Sequence, residues 1–300
     1  MNLQSMPVCL LAYRSLAASR IAQASPPTAL CALPPRPLVD RRVCLHWPEL
    51  PDARKVAVPT HSTASAGNSF IAALPRRERQ HLLASCETVE LVLSDVLAEP
   101  GQRIRQVHFP IDSFISLITP VDATASIEVG LVGNEGMLGA TLLFGVDVSP
   151  LHALVQGAGP ALCMDARRFR NELESVPALQ RALGRYLYVT MAQLAQTAAC
   201  PRFHLVEARL ARWLLMTQDR AHSPHFHLTH EFLAYMLGVR RVGVTHAATA
   251  LQTRKLISYR RGNITILDRK GLEAASCSCY AANNAVWDSV MGRRAQQRAG

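Results

Sequence analysis

No run of about 18 uncharged apolar residues occurs in this 300-residue chain, so a transmembrane helix is not expected. The best candidate, residues 7–18, is broken by Arg14 and has no basic segment ahead of it. Densely spaced cysteines are also missing. The eight stand at positions 9, 31, 44, 86, 163, 200, 277 and 279, which excludes a small disulfide scaffold and predicts reduced thiols in a cytoplasm. The sequence has no Gly-rich phosphate loop, nucleophile elbow or paired-carboxylate motif. Residues 68–165 hold only His81, His108 and His152, none at a short ligand spacing, which argues against a metal-dependent β-barrel enzyme. No catalytic residue, cofactor or metal site is therefore assigned. Charged residues are few, 18% against 49% apolar, which excludes wholesale disorder and supports two packed domains.

The charge is unevenly placed. Residues 1–67 carry seven basic and three acidic side chains, residues 68–165 five and eleven, and residues 166–300 twenty and eight. A middle section that repels polyanions thus precedes a C-terminal section that attracts them, the signature of a sensing or scaffolding domain joined to a nucleic-acid domain.

The first 67 residues are Pro-rich, with no sustained apolar period, and read as a disordered extension. From Asn68 a short amphipathic helix around residues 74–83 is followed by β-prone runs at 89–93, 104–109, 114–119, 127–132, 151–156 and 161–164, punctuated by glycines. This rhythm predicts an antiparallel jelly-roll-like domain. After Asp165 the period turns helical. In the segment starting at Pro177, Leu179, Leu183, Tyr186, Thr190 and Leu194 recur at three- and four-residue steps and predict one apolar seam, which either packs on its own domain or, the favoured reading, pairs with a twin helix. Cys200-Pro201 is expected to end this helix, with a further helix over 205–220.

The strongest local signal spans residues 228–251. Thr229 can cap a first helix, Ala234 is small where two helices cross, and Gly238 can take the left-handed conformation that sharpens a turn. Leu233, Leu237, Val239 and Val244 close a small core, and a second helix beginning near Arg241 presents Arg240, Arg241, Thr245 and His246. That is a helix-turn-helix whose guanidinium groups suit guanine edges or phosphates in a major groove. Two strands, 256–259 and 264–267, then flank Arg260-Arg261-Gly262-Asn263, with Gly-Asn as the expected hairpin turn. Helix-turn-helix plus a basic-tipped hairpin makes a winged helix.

Two other patterns carry less. His222, His225, His227 and His230 crowd nine residues and read as a polar loop leading into a helix. Cys277 and Cys279 flank a single residue, too close for a zinc knuckle, while Cys200 and His204 share a helix turn only if the helix passes Pro201. These leave metal binding by the histidines or by Cys277 and Cys279 open, and Cys200 is expected at a hinge.

In order, and along nearly all of residues 68–280, these features resemble the Crp/Fnr family of bacterial transcription regulators. The resemblance is carried by Glu99-Pro100-Gly101 through Phe109-Pro110, by Val132-Gly133-Asn134-Glu135-Gly136-Met137-Leu138-Gly139, by Cys200-Pro201-Arg202-Phe203-His204, by residues 207–215 and by the winged helix. It implies an α+β chain with an N-terminal cyclic-nucleotide-binding-like β-roll, a long dimerisation helix and a C-terminal winged helix-turn-helix. The implied partners are double-stranded DNA, a second copy of the chain and RNA polymerase, with no membrane. Thr229 and Arg240 match positions that touch the phosphate backbone in relatives, and Arg241 keeps a guanine-reading role.

Departures from the family pattern are equally informative. Nucleotide-responsive members follow a Gly-Glu pair with an Arg-Ser pair; here Gly139 precedes Ala140 and the Arg-Ser position falls at about Leu151-His152. A phosphate would lack its cation, so cyclic AMP is not the expected ligand. Cys9, Cys31 and Cys44 lack the local pairing of an iron-sulfur site. Val242 stands where the family often has a Glu that accepts from cytosine, and His246 where it often has a second Arg, so the operator should differ from the best-known family consensus.

The expected organisation is a disordered extension over 1–67, a β-roll sensor over 68–165, a helical dimerisation linker over 166–200, a winged helix over 201–280 and a basic tail over 281–300. The expected function is a homodimeric operator-binding regulator controlled by an unidentified signal at the roll. The alternatives are an effector-independent regulator whose roll is a scaffold, and a small-molecule-binding module without direct DNA action.

Overall fold

The structure, a computed structural model, describes residues 67–121 and 125–292. The N-terminal extension, with Cys9, Cys31 and Cys44, lies outside the described residues. Two short helices, α1 (Ser69–Ala72) and α2 (Arg76–Ala84), open the described chain. Seven strands follow: β1 (Glu87–Leu91), β2 (Val96–Ala98), β3 (Gln106–Pro110), β4 (Phe114–Pro120), β5 (Ser126–Val132), β6 (His152–Gly157) and β7 (Gly159–Asp165). They form two antiparallel sheets, ordered β1-β7-β3 and β2-β6-β4-β5. The β-prone runs of the sequence correspond to all of these except β2, whose three residues are too few to show a period of two.

The interior between the sheets is small, built from Leu91, Ile115, Val132, Ala153, Val155 and Ala161. A larger core lies on the outer side of the β1-β7-β3 sheet. There Val107 and Phe109 meet Phe70, Met164 and Phe169 and the helices α3 (Ala166–Ser175) and α4 (Pro177–Phe203). Asp165 caps α3 by accepting from the backbone N–H groups of Arg167 and Arg168, and Pro177 occupies the first turn of α4, where no N–H is needed. Each large side chain sealed here contributes about 1.5–3 kcal/mol, and Phe109, Phe169, Leu179 and Leu183 are all sealed completely.

In two places the structure corrects the sequence reading of α4. The helix does not stop at Cys200: it runs through Pro201 to Phe203. The missing Pro N–H costs one hydrogen bond, yet the turn closes again where the His204 N–H donates to the Cys200 carbonyl at 3.0 Å. The expected twin-facing seam is also turned inward. Leu179, Leu183 and Tyr186 are buried in the chain's own core, and Thr190 and Leu194 are half-buried. What covers them includes a helix, α9 (Cys279–Met291), where the sequence suggested a basic tail from residue 281. Its Trp287 packs edge-on against Tyr186 at 6.3 Å between ring centroids.

The C-terminal part contains α5 (Val206–Ala221), β8 (His225–His227), α6 (His230–Leu237), α7 (Arg241–Thr253), β9 (Ile257–Arg260), β10 (Asn263–Ile266) and α8 (Arg269–Ala275). Its core joins Leu210, Leu214, Leu233, Val244, Leu251, Ile264 and Leu272. No helix among the described residues is long and apolar enough to cross a membrane.

Candidate nucleic-acid interface

Helix α6 begins at Thr229, whose side-chain oxygen accepts from the Phe232 N–H at 3.1 Å. It ends at Gly238 with φ +60°, a backbone state that costs a side-chain-bearing residue about 1–2 kcal/mol. The Val239 N–H then reaches back to the Ala234 carbonyl at 2.9 Å, so the chain reverses tightly into α7. Ala234 is buried at the crossing and Val244 is sealed beneath it.

Helix α7 has two distinct faces. Val244, Ala247, Ala248 and Leu251 point into the core, whereas Arg241, Val242, Thr245, His246 and Thr249 are exposed, with Arg240 exposed just ahead of them. The residue preceding α7 is Arg240, which supplies no side-chain acceptor, so the first-turn N–H groups have no side-chain cap. An uncapped positive helix end beside two guanidinium groups favours an anion.

The β9-β10 hairpin that follows is joined by β8 into a three-stranded sheet, ordered β8-β10-β9. Arg260 pairs with Asn263, so the two turn residues are Arg261 and Gly262, one position earlier than the Gly-Asn turn expected from sequence. Both have positive φ, +51° and +84°, the requirement of the tight hairpin turn whose twist matches its strands. Register decides the difference: Ile264 and Ile266 must face the core, and a one-residue slip would turn them out. Arg260 and Arg261 are both exposed at the tip.

Strand β8 also explains the crowded histidines. His225 and His227 alternate along it with the buried Phe226, His225 Nδ1 meeting Thr265 Oγ1 at 3.1 Å and His227 Nδ1 meeting Asn263 Oδ1 at 2.9 Å. His222 instead faces Asp112 of the roll at 3.2 Å. His230 has a role that the sequence did not reveal. Its Nδ1 lies 3.0 Å from Thr245 Oγ1 on α7, and its ring packs edge-on against Tyr259 of the hairpin at 4.6 Å. Burial first, then the nearby Arg241 charge, holds the His230 pKa below its ordinary value. Tyr259 in turn donates to the Leu228 carbonyl at 2.6 Å. One small network thus ties α6, α7 and the hairpin together.

Neither of the compared positions of the roll carries an Arg or Lys. Gly139 has φ +94° and leads into a 3-10 turn, Ala140–Phe144, in which Ala140 and Leu142 are buried. His152 is buried with its Nδ1 2.9 Å from Glu99 Oε2.

Two buried polar contacts join the roll to α5. Trp213 donates to Glu128 Oε1 at 2.9 Å while Ser116 donates to Oε2 at 2.8 Å. Burial pushes the Glu128 pKa up to about 7 despite these two donors and the Arg220 and Arg212 charges. Beside it, Arg220 pairs with Glu135 at 2.5 Å, both nearly sealed from solvent.

A profile of the Crp-like helix-turn-helix domain matches residues 208–275. Among solved structures, the fold resembles the c-di-GMP-responsive global regulator CLP of Xanthomonas campestris (16% identity, 64% of this chain and 99% of that one, TM-score 0.54). It also resembles FixK2 of Bradyrhizobium japonicum (12%, 64% and 98%, TM-score 0.55) and a CRP/FNR-family transcriptional regulator of Thermus thermophilus (21%, 63% and 98%, TM-score 0.51). No curated protein sequence matches the chain.

Proposed function

We propose that this chain, whose residues 208–275 match the Crp-like helix-turn-helix domain and whose fold resembles solved regulators of the Crp/Fnr type, is a regulator of that family that binds a near-palindromic operator as a homodimer and answers to a signal received by the roll. The observation that carries the proposal is the exposed face of α7. Arg240, Arg241, Thr245 and His246 stand clear of the core at an uncapped helix start, with Arg260 and Arg261 on the adjoining hairpin. In this reading Arg241 reads a guanine edge, Thr245 and His246 contact neighbouring bases, and Thr229, Arg240, Arg260 and Arg261 grip phosphates. Ala234, Gly238 and Val244 hold the two helices in the geometry that this requires. Residues 68–165 act as the sensor and residues 201–280 as the reader. The regulator works in the cytoplasm and passes its signal to RNA polymerase.

In this reading the dimer forms through the face of α4 opposite the one expected from sequence. Gly184, Tyr188, Met191, Ala195 and Ala198 are all exposed and repeat at alternating four- and three-residue steps, with Tyr188 61% and Met191 64% exposed. A parallel pair of α4 helices would bury this stripe and set two α7 helices about 34 Å apart, one turn of DNA. The signal at the roll would reach the reader through the Glu128–Trp213 and Glu135–Arg220 joint.

The test is selection of bound fragments from a genomic DNA pool at near-physiological salt, with wild type and Arg241→Ala side by side. An inverted repeat enriched by wild type, with relaxed preference at one base pair per half-site and about 1–3 kcal/mol weaker binding in the variant, supports the reading. Unchanged selectivity in the variant removes Arg241 from the groove.

A further inference from the structure

The last turn of α4 and the junction between α8 and α9 are 77 residues apart in sequence, and they meet. Cys200 and His204 project from the end of α4, one helical turn apart because the helix continues through Pro201. Cys277 and Cys279 flank Ser278 at the start of α9. Their three sulfurs and one imidazole nitrogen all lie within 4.8 Å of one another. Cys200 Sγ is 3.7 Å from Cys277 Sγ, and Cys279 Sγ is 3.4 Å from His204 Nδ1.

We infer that Cys200, His204, Cys277 and Cys279 form a tetrahedral site for a single zinc ion, which staples the end of the long helix to the last segment of the winged helix. A tetrahedral zinc with sulfur ligands at about 2.3 Å and nitrogen at about 2.0 Å has edges of about 3.8 Å between sulfurs and about 3.5 Å between sulfur and nitrogen. The two edges found here match both. Three thiolates and one imidazole are a common structural zinc set, and the soft donors disfavour magnesium and calcium. An iron-sulfur cluster needs ligands spread around several irons and bridging sulfides, whereas these four converge on room for one ion.

The surroundings suit a thiolate site. Gln196 Nε2 donates to Cys279 Sγ at 3.0 Å, the kind of outer hydrogen bond that orients a metal ligand. Three thiolates leave one negative charge beyond the zinc, and Arg212 lines the same cavity as Cys200. Among the described residues Arg212 Nη1 has no hydrogen-bond partner, so this buried N–H is free to face a thiolate. Cys200, Cys277 and Cys279 are themselves buried and not disulfide-bonded, so the site is sheltered from competing ligands.

The inference does not depend on DNA binding. Full-length protein purified under reducing conditions is analysed for metal content, stripped with a chelator and titrated with Co²⁺, then with Zn²⁺ in competition. The expected result is one equivalent of cobalt with the strong visible bands of a tetrahedral site and thiolate charge-transfer absorption, displaced by zinc. Cys279→Ser should weaken Co²⁺ binding by more than the roughly 10- to 100-fold of an outer-shell change. His204→Cys, at a half-exposed position where folding is not at risk, should retain tetrahedral cobalt with stronger charge-transfer absorption. Folded, reduced wild type that takes up neither metal overturns the inference. So does a Cys200–Cys277 disulfide that forms equally fast with and without zinc, since bound thiolates would be protected.

Discussion

Replacing Glu128 by Gln isolates what a buried acid at the joint does to stability. The carboxyl is 7% exposed, accepts from Ser116 and Trp213, and has its pKa raised from 4.5 to about 7. In the unfolded chain it ionises near 4.5, so between that pH and about 7 the folded state binds more protons than the unfolded one. Stability from this group is therefore present below pH 4.5 and lost as pH rises through 7. Each pH unit between those two values is worth about 1.4 kcal/mol, which makes the whole loss about 3 kcal/mol. Gln keeps an oxygen for the Trp213 N–H and has nothing to ionise. Urea unfolding at half-unit steps from about pH 4.5 to about 8 should give a difference, Glu128→Gln minus wild type, that climbs by about 3 kcal/mol and then levels off. The comparison cancels groups common to both proteins, including His108, whose pKa burial lowers to about 4 and which weakens the fold on the acid side. A difference that stays flat across this range would refute the account of Glu128 as a buried acid held up by desolvation.

The double variant Tyr188→Glu/Met191→Glu removes four apolar side chains from a pair of α4 helices, at least about 4 kcal/mol or roughly 1000-fold in association. Light scattering should show a monomer with an unchanged circular dichroism spectrum. Arg260→Ala/Arg261→Ala should weaken binding to all DNA sequences and reduce the slope of log affinity against log salt by about two, as read by fluorescence anisotropy across a salt series. Thr229→Ala, which removes the acceptor for the Phe232 N–H, should cost about 1 kcal/mol in thermal unfolding without moving the preferred operator.

What could be read in the sequence was whatever depends on neighbours in the chain. The Thr229 cap, the reversal at Gly238 and the β-prone runs punctuated by glycines are local, and each left a local trace. The two three-residue strands β2 and β8 left none, because their pairing is set by partners elsewhere: β8 is a strand only because β10 lies beside it. Helix α4 shows a different difficulty. It is apolar on two faces, one holding Leu179, Leu183 and Tyr186 and the other Tyr188 and Met191, and periodicity cannot say which neighbour covers which face. The hairpin turn was misplaced by one residue because Gly-Asn is the better local turn, yet the inward demand of Ile264 and Ile266 outweighs the strain of an arginine at positive φ. The cysteine site was invisible for the plainest reason. Cys200 and Cys277 become neighbours only after α5 to α8 have folded between them, and Pro201 argued locally for a helix end that packing overrides.

In the proposed role, helix α7 separates what it would read from what it supports. Its inward residues Val244, Ala247, Ala248 and Leu251 hold the domain together, while Arg241, Val242 and His246 face away from that core. Changes at those three outward positions carry little folding penalty. Thr245 is the exception, because its hydroxyl meets His230 and through it the hairpin. If α7 reads DNA as proposed, sequence preference can therefore be changed at three positions at little cost to the fold, while a change at the fourth also disturbs the hairpin.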